Sequence, residues 1–235
     1  MLFLLVNAFA VDPFPKLDQK LLFDSGGAAD ADTGRDIAVD ASGNVYAIGT
    51  RFVGGFTDIQ AVKFSSTGSV LWSQTIATTI LDTGKAIAVD SSGNVFTAGD
   101  ITDSVQESNW QVNKLDPNGT SLVEIIYDGA VSKGDFIKDI TVDDAGNVIF
   151  TGQEKIQEAF DKYSITTIKY NNSLTAPLWI EKFDLGESPA DVQNIEPTKI
   201  VTDSSNNVYV SGFVLDGAGV FKGILLKYSS FSITS

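Results

Sequence analysis

Asp36-Ile-Ala-Val-Asp-Ala-Ser-Gly-Asn-Val-Tyr46 is written four times in this chain. The other versions are Ala86-Ile-Ala-Val-Asp-Ser-Ser-Gly-Asn-Val-Phe96, Asp139-Ile-Thr-Val-Asp-Asp-Ala-Gly-Asn-Val-Ile149 and Lys199-Ile-Val-Thr-Asp-Ser-Ser-Asn-Asn-Val-Tyr209. The isoleucines fall at 37, 87, 140 and 200, so the spacing is 50, 53 and 60 residues. Periods of this length belong to propeller blades or solenoids.

Each unit divides into four runs rich in Val, Ile, Tyr and Thr, separated by Gly, Asn and Ser. In the first unit these are A (37–40), B (44–49), C (58–64) and D (70–76). The A–B turn opens on Asp40, Asp90, Asp143 or Asp203, whose carboxylate accepts backbone N–H groups two residues on. Gly43, Gly93 and Gly146 supply the positive φ, and Asn206 replaces them in the fourth unit. Run B is apolar on both sides: Val45 and Ala47 alternate with Tyr46 and Ile48. A sheet with one wet face reads as apolar/polar alternation. Two dry faces place each sheet between two neighbours, so the expected fold is an all-β propeller of four-stranded antiparallel blades starting near 36, 86, 139 and 199.

The fourth unit supplies A, B and C (199–203, 207–212, 222–228). Leu17-Asp18-Gln19-Lys20-Leu21 matches the D runs Trp72–Ile76 and Trp179–Phe183. The expectation is a ring of four blades closed by residues 16–24, with no exposed sheet edge. The alternative is a fragment of a larger ring. Residues 1–15 form a leader: Leu2 to Val6 is apolar and Ala8-Phe9-Ala10 has small-x-small spacing, without the basic start of a full signal peptide. Residues 16–235 are then a single propeller domain.

The 235 residues carry 16 basic and 30 acidic side chains, a net charge of −14. Such a field opposes nucleic acid and anionic membrane as partners. No run is long and apolar enough to insert in a membrane, which implies a soluble body. Cys and His are absent, which removes disulfides, thiolate chemistry, structural zinc and His-based triads.

The run IAVDxxGNVY…G, followed by a Lys-containing strand and a Gly turn, resembles the SBBP-type bacterial β-propeller repeat over residues 17–228. It is more weakly similar to NHL and streptogramin-lyase-like propellers. The resemblance implies a propeller and an extracytoplasmic setting (periplasmic, secreted or cell surface), and it says little of activity. The GxTxSxDFP element frequent in that family is missing after strand B, and the lyase's catalytic histidine has no counterpart here.

A–B and C–D turns lie on one rim of a propeller, and the more variable B–C and D–A loops on the other, where function is carried. The working face is therefore expected on the B–C/D–A rim, whose loops gather acidic residues. The candidate ligand-binding residues are Trp110, Asp32, Asp82, Asp100, Asp135, Asp184 and Asp191. Oxygen ligands in loops suit calcium, expected if anywhere at Asp30, Asp32 and Asp82; the competing reading is a solvated acidic surface. Residues 154–163 place Ile156, Ala159, Phe160 and Tyr163 at helical spacing, predicting a short helix in the third B–C loop. Lys63, Lys114, Lys169 and Lys227 recur in every run C and are read as structural, as are Trp72 and Trp179. Asn-x-Ser/Thr matches stand at Asn118 and Asn171. The expected function is a non-catalytic monomeric scaffold that binds a protein, glycan or surface polymer. The alternatives are a carboxylate-based carbohydrate-active enzyme and a purely structural module of a larger surface protein.

Overall fold

The computed structural model describes residues 32–76, 81–102, 107–129, 131, 134–157, 162–185, 194–215 and 219–230. They form fifteen strands in four antiparallel sheets. The first sheet is β1 (Thr33–Val39), β2 (Val45–Val53), β3 (Phe56–Phe64) and β4 (Val70–Ile76), in that order. The second is β5 (Thr83–Val89), β6 (Val95–Thr102), β7 (Ser108–Leu115) and β8 (Ser121–Tyr127). The third is β9 (Phe136–Val142), β10 (Val148–Gln157), β11 (Lys162–Tyr170) and β12 (Pro177–Phe183). The fourth holds β13 (Ile195–Thr202), β14 (Val208–Leu215) and β15 (Phe221–Tyr228). Each sheet is a blade, and the first strand of each lies innermost: β1 packs beside β5, β5 beside β9 and β9 beside β13. The strand expected at 17–21 to complete the fourth blade lies outside the described residues, as do the leader and residues 231–235.

Every blade has a leading face, toward the next blade, and a trailing face, toward the one before. Between blades one and two, Tyr46, Ile48, Ile59 and Ala61 of the leading face meet Ile87, Val95, Ile101 and Leu115 of the trailing face. Phe96, Ala98, Trp110 and Val112 then meet Ile140, Val148, Phe150 and Ile168 between blades two and three. Ile149 and Ile165 meet Ile200, Val208 and Val210 between three and four. Full burial of side chains of this size contributes about 1.5–3 kcal/mol each, so three such seams supply the main driving force of the fold. Strand alternation alone sorts Tyr46 from Val45 and Phe96 from Val95, because neighbours in a strand point to opposite faces.

Carboxylates on the inner strands stitch the seams at backbone level. The amide of Ile87 donates to Asp36 Oδ2 at 3.0 Å, and that of Ile200 to Asp139 Oδ2 at 2.7 Å. In the second blade Ala86 stands where Asp36 stands in the first; there Asp100, on β6, accepts a different amide of the next inner strand, that of Ile137, three residues before the repeat isoleucine, at 2.8 Å. These inner amides project beyond the edge of their own sheet, so each would lack a partner without the neighbouring blade.

The A–B turns form as the repeat demands. Asp40 Oδ1 accepts the amides of Ser42 and Asn44, both at 2.9 Å, and Oδ2 accepts Asn44 Nδ2 and the Tyr46 hydroxyl. Asp90, Asp143 and Asp203 repeat the two amide bonds. Asn206 takes φ 60°, the conformation that glycine holds in the other three turns. On the same rim, Lys63 Nζ crosses to the Pro117 carbonyl at 3.2 Å and Lys114 Nζ to the Asn172 carbonyl at 2.9 Å, each in the C–D turn of the following blade. Lys169 turns instead to Asp143 of its own blade, at 2.7 Å. Trp72 Nε1 also donates to the Pro117 carbonyl, at 3.0 Å, and Trp179 packs on Tyr228.

Two sequence readings are corrected. No helix occupies 154–163 as a whole: β10 runs on to Gln157 and β11 starts at Lys162, with Glu154 paired to Ser164 and Lys155 to Tyr163. The β10–β11 ladder pairs backbone from Glu154 to Gln157 with Lys162 to Ser164, an advantage that a helix of under three turns could not match. Thr50–Thr57 is likewise no open loop but the end of a hairpin, in which Gly54 and Gly55 both have positive φ and β2 pairs with β3 up to Val53 and Phe56.

Asp143 is buried, and Lys169 beside it is nearly so. Replacing Asp143 with Ala strands that ammonium and two turn amides together, so a loss of about 3 kcal/mol or more is expected in urea unfolding. Asp203→Ala, in the exposed equivalent turn, should lose clearly less. Equal effects would show that the buried pair adds nothing to the turn.

Candidate functional site

The rim predicted to carry function is built by a second carboxylate device. Asp32 Oδ1 accepts the Phe52 amide at 3.1 Å, Asp82 Oδ1 the Thr102 amide at 3.3 Å, and Asp135 Oδ1 the Lys155 amide at 2.9 Å. In each blade the residue just ahead of strand A thus clamps the end of strand B. Asn194 holds the place in the fourth blade and accepts the Leu215 amide through its backbone carbonyl, at 2.7 Å. The signal lay in the sequence: Asp32, Asp82 and Asp135 each stand five residues before the repeat isoleucine. A residue required in every blade points to a shared structural role.

The remaining candidates disperse. Asp100 is buried between Lys85 Nζ, at 3.0 Å, and the Ile137 amide; burial raises its pKa and Lys85 partly offsets this. Asp184 is exposed just beyond β12. Asp30 and Asp191 lie outside the described residues. Trp110 is fully buried, 4.9 Å from the Tyr127 ring and edge-on to Phe150. It fills the seam between blades two and three, which corrects its assignment as a ligand-contact residue: run C begins beneath the rim, where the blades touch. Among the described residues, no three acidic side chains converge as a cation site would require. Asp32 and Asp82 belong to different blades, each engaged in its own clamp.

A buried polar node beside the candidate Asp135 crosses the seam between blades two and three. Glu154 Oε2 accepts the Tyr127 hydroxyl at 3.0 Å and Thr166 Oγ1 at 2.6 Å, while Oε1 accepts Lys182 Nζ at 2.6 Å. Asp135 lies close by, its Oδ2 accepting the Gly129 amide at 2.7 Å. A Cβ on Gly129 would fall 2.6 Å from Glu154 Cγ and 2.7 Å from Asp135 Oδ2, so only glycine fits between the two carboxylates. Burial pushes the Asp135 carboxyl up to about 6; the charges of Glu154 and Asp128 add to the rise, and its two amide bonds oppose it. The Tyr127 hydroxyl is raised too, by burial and then by Glu154.

A cavity of about 330 Å³ opens on the trailing face of blade one, toward the same rim. Asp32, Thr33, Arg51 and Gln60 give it polar walls, with Val62 and Phe64 among its apolar lining. Gln60 is held by Ser73 Oγ at 2.8 Å and Thr75 Oγ1 at 2.8 Å. Arg51 Nη1 donates to Thr75 Oγ1 at 3.3 Å, and its Nε is buried without a partner. No salt bridge pairs Arg51 with a carboxylate among the described residues, although acidic side chains outnumber basic ones nearly two to one. A guanidinium so placed retains donor capacity for an acceptor in the cavity.

Comparison with known proteins agrees with this architecture. Residues 72–104, from β4 through β6, match the SBBP β-propeller repeat. Among curated proteins, none matches the chain. Of solved structures, a point mutant of NanB sialidase from Streptococcus pneumoniae aligns at 12% identity and TM-score 0.50, covering 82% of this chain and 30% of that one. NanB with Optactamide aligns at 12% identity and TM-score 0.51, with the same two coverages. A gluconolactonase from Xanthomonas campestris aligns at 12% identity and TM-score 0.44, covering 83% of this chain and 57% of that one. The chain therefore spans well under two thirds of these relatives' lengths, and at such identities the likeness concerns the fold alone. The chain is a β-propeller protein carrying an SBBP-type repeat.

The Asp135 node sets a pH dependence whose sign is fixed. A carboxyl whose pKa is higher folded than unfolded contributes stability below its unfolded value, near 3.8, and loses it as pH rises through about 6. Asp135→Asn should flatten the stability profile between about pH 4 and pH 6 relative to wild type, measured by thermal unfolding across that range. A variant profile parallel to wild type would remove Asp135 as the source.

Proposed function

We propose that the chain is a non-catalytic, extracytoplasmic binding scaffold that recognises a protein, glycan or surface polymer through its B–C/D–A rim. The cavity of blade one carries the reading: it is the place where a cationic donor, a fixed amide and an apolar wall stand together and open outward. The acidic candidates of the rim support the same view, because Asp32, Asp82, Asp100 and Asp135 each accept backbone amides of the frame. Recognition then rests on Arg51 and Gln60, with Asp32 as one wall.

An enzyme is the second reading, favoured by one observation: a buried carboxyl with a pKa of about 6 beside a Glu–Tyr pair. Raised carboxyls of this kind mark general acids. Against it, both Asp135 oxygens already accept backbone amides, and Glu154 is fully buried. Neither side chain lines the cavity.

A binding screen against glycans and cell-surface polymers, followed by calorimetric titration, tests the first reading. Arg51→Ala should weaken whatever ligand is found by roughly tenfold or more, the scale of a charge-assisted hydrogen bond. Unchanged affinity would place recognition elsewhere. Titrating calcium with and without chelator tests the cation expectation in the same instrument.

A further inference from the structure

We propose that the leading face of blade four docks on the trailing face of blade one in a second copy of the chain, repeating between molecules the seam that joins blades within one.

The repeat provides the template for this contact. In each internal seam the strand-A isoleucine of the trailing face is shut away: Ile87 is 4%, Ile140 4% and Ile200 2% exposed. Ile37, the same residue at the same place in blade one, is 67% exposed. On the leading side, Ala61, Val112 and Thr167 occupy equivalent register positions and are buried, while Leu225 is 69% exposed. Val39 extends the open trailing face, and Val201 and Phe221 lie exposed in blade four. The two surfaces are the two halves of one kind of interface, left apart. Among the described residues, β13 and β1 do not pack as β1 and β5, β5 and β9, or β9 and β13 do. Among the described residues, blade one holds the one trailing face that remains uncovered, so another copy is the mate already matched to blade four. β15 adds an open sheet edge among these residues, which also favours association.

The polar part of the seam transfers as well. Lys63 and Lys114 each reach the carbonyl of the second residue in the next blade's C–D turn, Pro117 and Asn172. Lys227 occupies their place in blade four, with Nζ 5.2 Å from the Tyr209 ring. In a docked copy the matching acceptor is the Ser66 carbonyl, second in the Ser65–Gly68 turn. The cavity lies on the same trailing face, toward its rim end, so a docked blade four would form its outer wall.

Such an interface is head-to-tail, and heterologous contacts leave a distinctive signature. Sedimentation velocity over a concentration series is the test, on wild type, Ile37→Asp, Leu225→Asp and an equimolar mixture of the two variants. Both positions are exposed, so each variant should keep the wild-type circular dichroism spectrum. Wild type is expected to grow beyond the monomer mass with concentration, and each variant alone to stay monomeric. The mixture retains one good face of each kind and should form a 1:1 dimer and nothing larger. Lys227→Ala should weaken wild-type association by roughly tenfold. A wild type that stays monomeric throughout the series would overturn the proposal, and so would a mixture that fails to pair.

Discussion

A small β-sheet that is apolar on both faces has no stable existence alone; it must be covered twice. This constraint governs the molecule more than any single bond. Blades two and three satisfy it through Ile87 and Val95 on one flank and Phe96, Trp110 and Phe150 across the other. The twist of each sheet and the position of strand A then bring the inner strands together about an axis. There the sheet edges would expose unpaired amides, and the carboxylates of Asp36, Asp100 and Asp139 accept them. The same requirement explains why the outer faces of blades one and four are the least finished surfaces of the structure.

Much of this was legible in the sequence. Four copies of Asp-x-x-Gly-Asn or its Asn variant specified the A–B turns down to the replacement of Gly146 by Asn206, because the αL position admits few residues. Strand faces followed from alternation alone. What remained hidden was long-range. That Asp36 of one blade would serve Ile87 of the next depends on which sheets become neighbours, not on any local pattern. That blade two, with Ala86 in place of Asp36, would reach blade three through Asp100 and the Ile137 amide instead is invisible to a reading by units. The third B–C segment misled for the opposite reason. Ile156 and Tyr163 do fall at helical spacing, yet residues 148–157 and 162–170 pair along nearly their whole length, and a ladder of that size overrides a weak local period.

The candidate site was read less well, and the cause is again physical. Carboxylates in loops look alike whether they bind solvent, calcium or their own backbone. Only geometry separates Asp82, clamping Thr102, from a residue free to meet a ligand. Gln60 drew no notice because it belongs to a strand that the repeat had assigned to packing, and Arg51 because it fell in the first B–C loop, whereas the face they share is the one that, among the described residues, no other blade covers. In a chain of net charge −14, the cavity's cation is held by a threonine hydroxyl and leaves its Nε unpaired.

The central claim is that each inner strand is held by the blade packed beside it, and residue-resolved amide exchange addresses it directly. Ile37, Ile87 and Ile200 occupy one position of the repeat, but only the last two donate to a neighbouring Asp; Lys199, which cannot accept, stands where the corresponding carboxylate of blade four would be. Exchange at Ile87 and Ile200 slower than at Ile37 by orders of magnitude is the predicted result. Equal rates at all three would contradict the account.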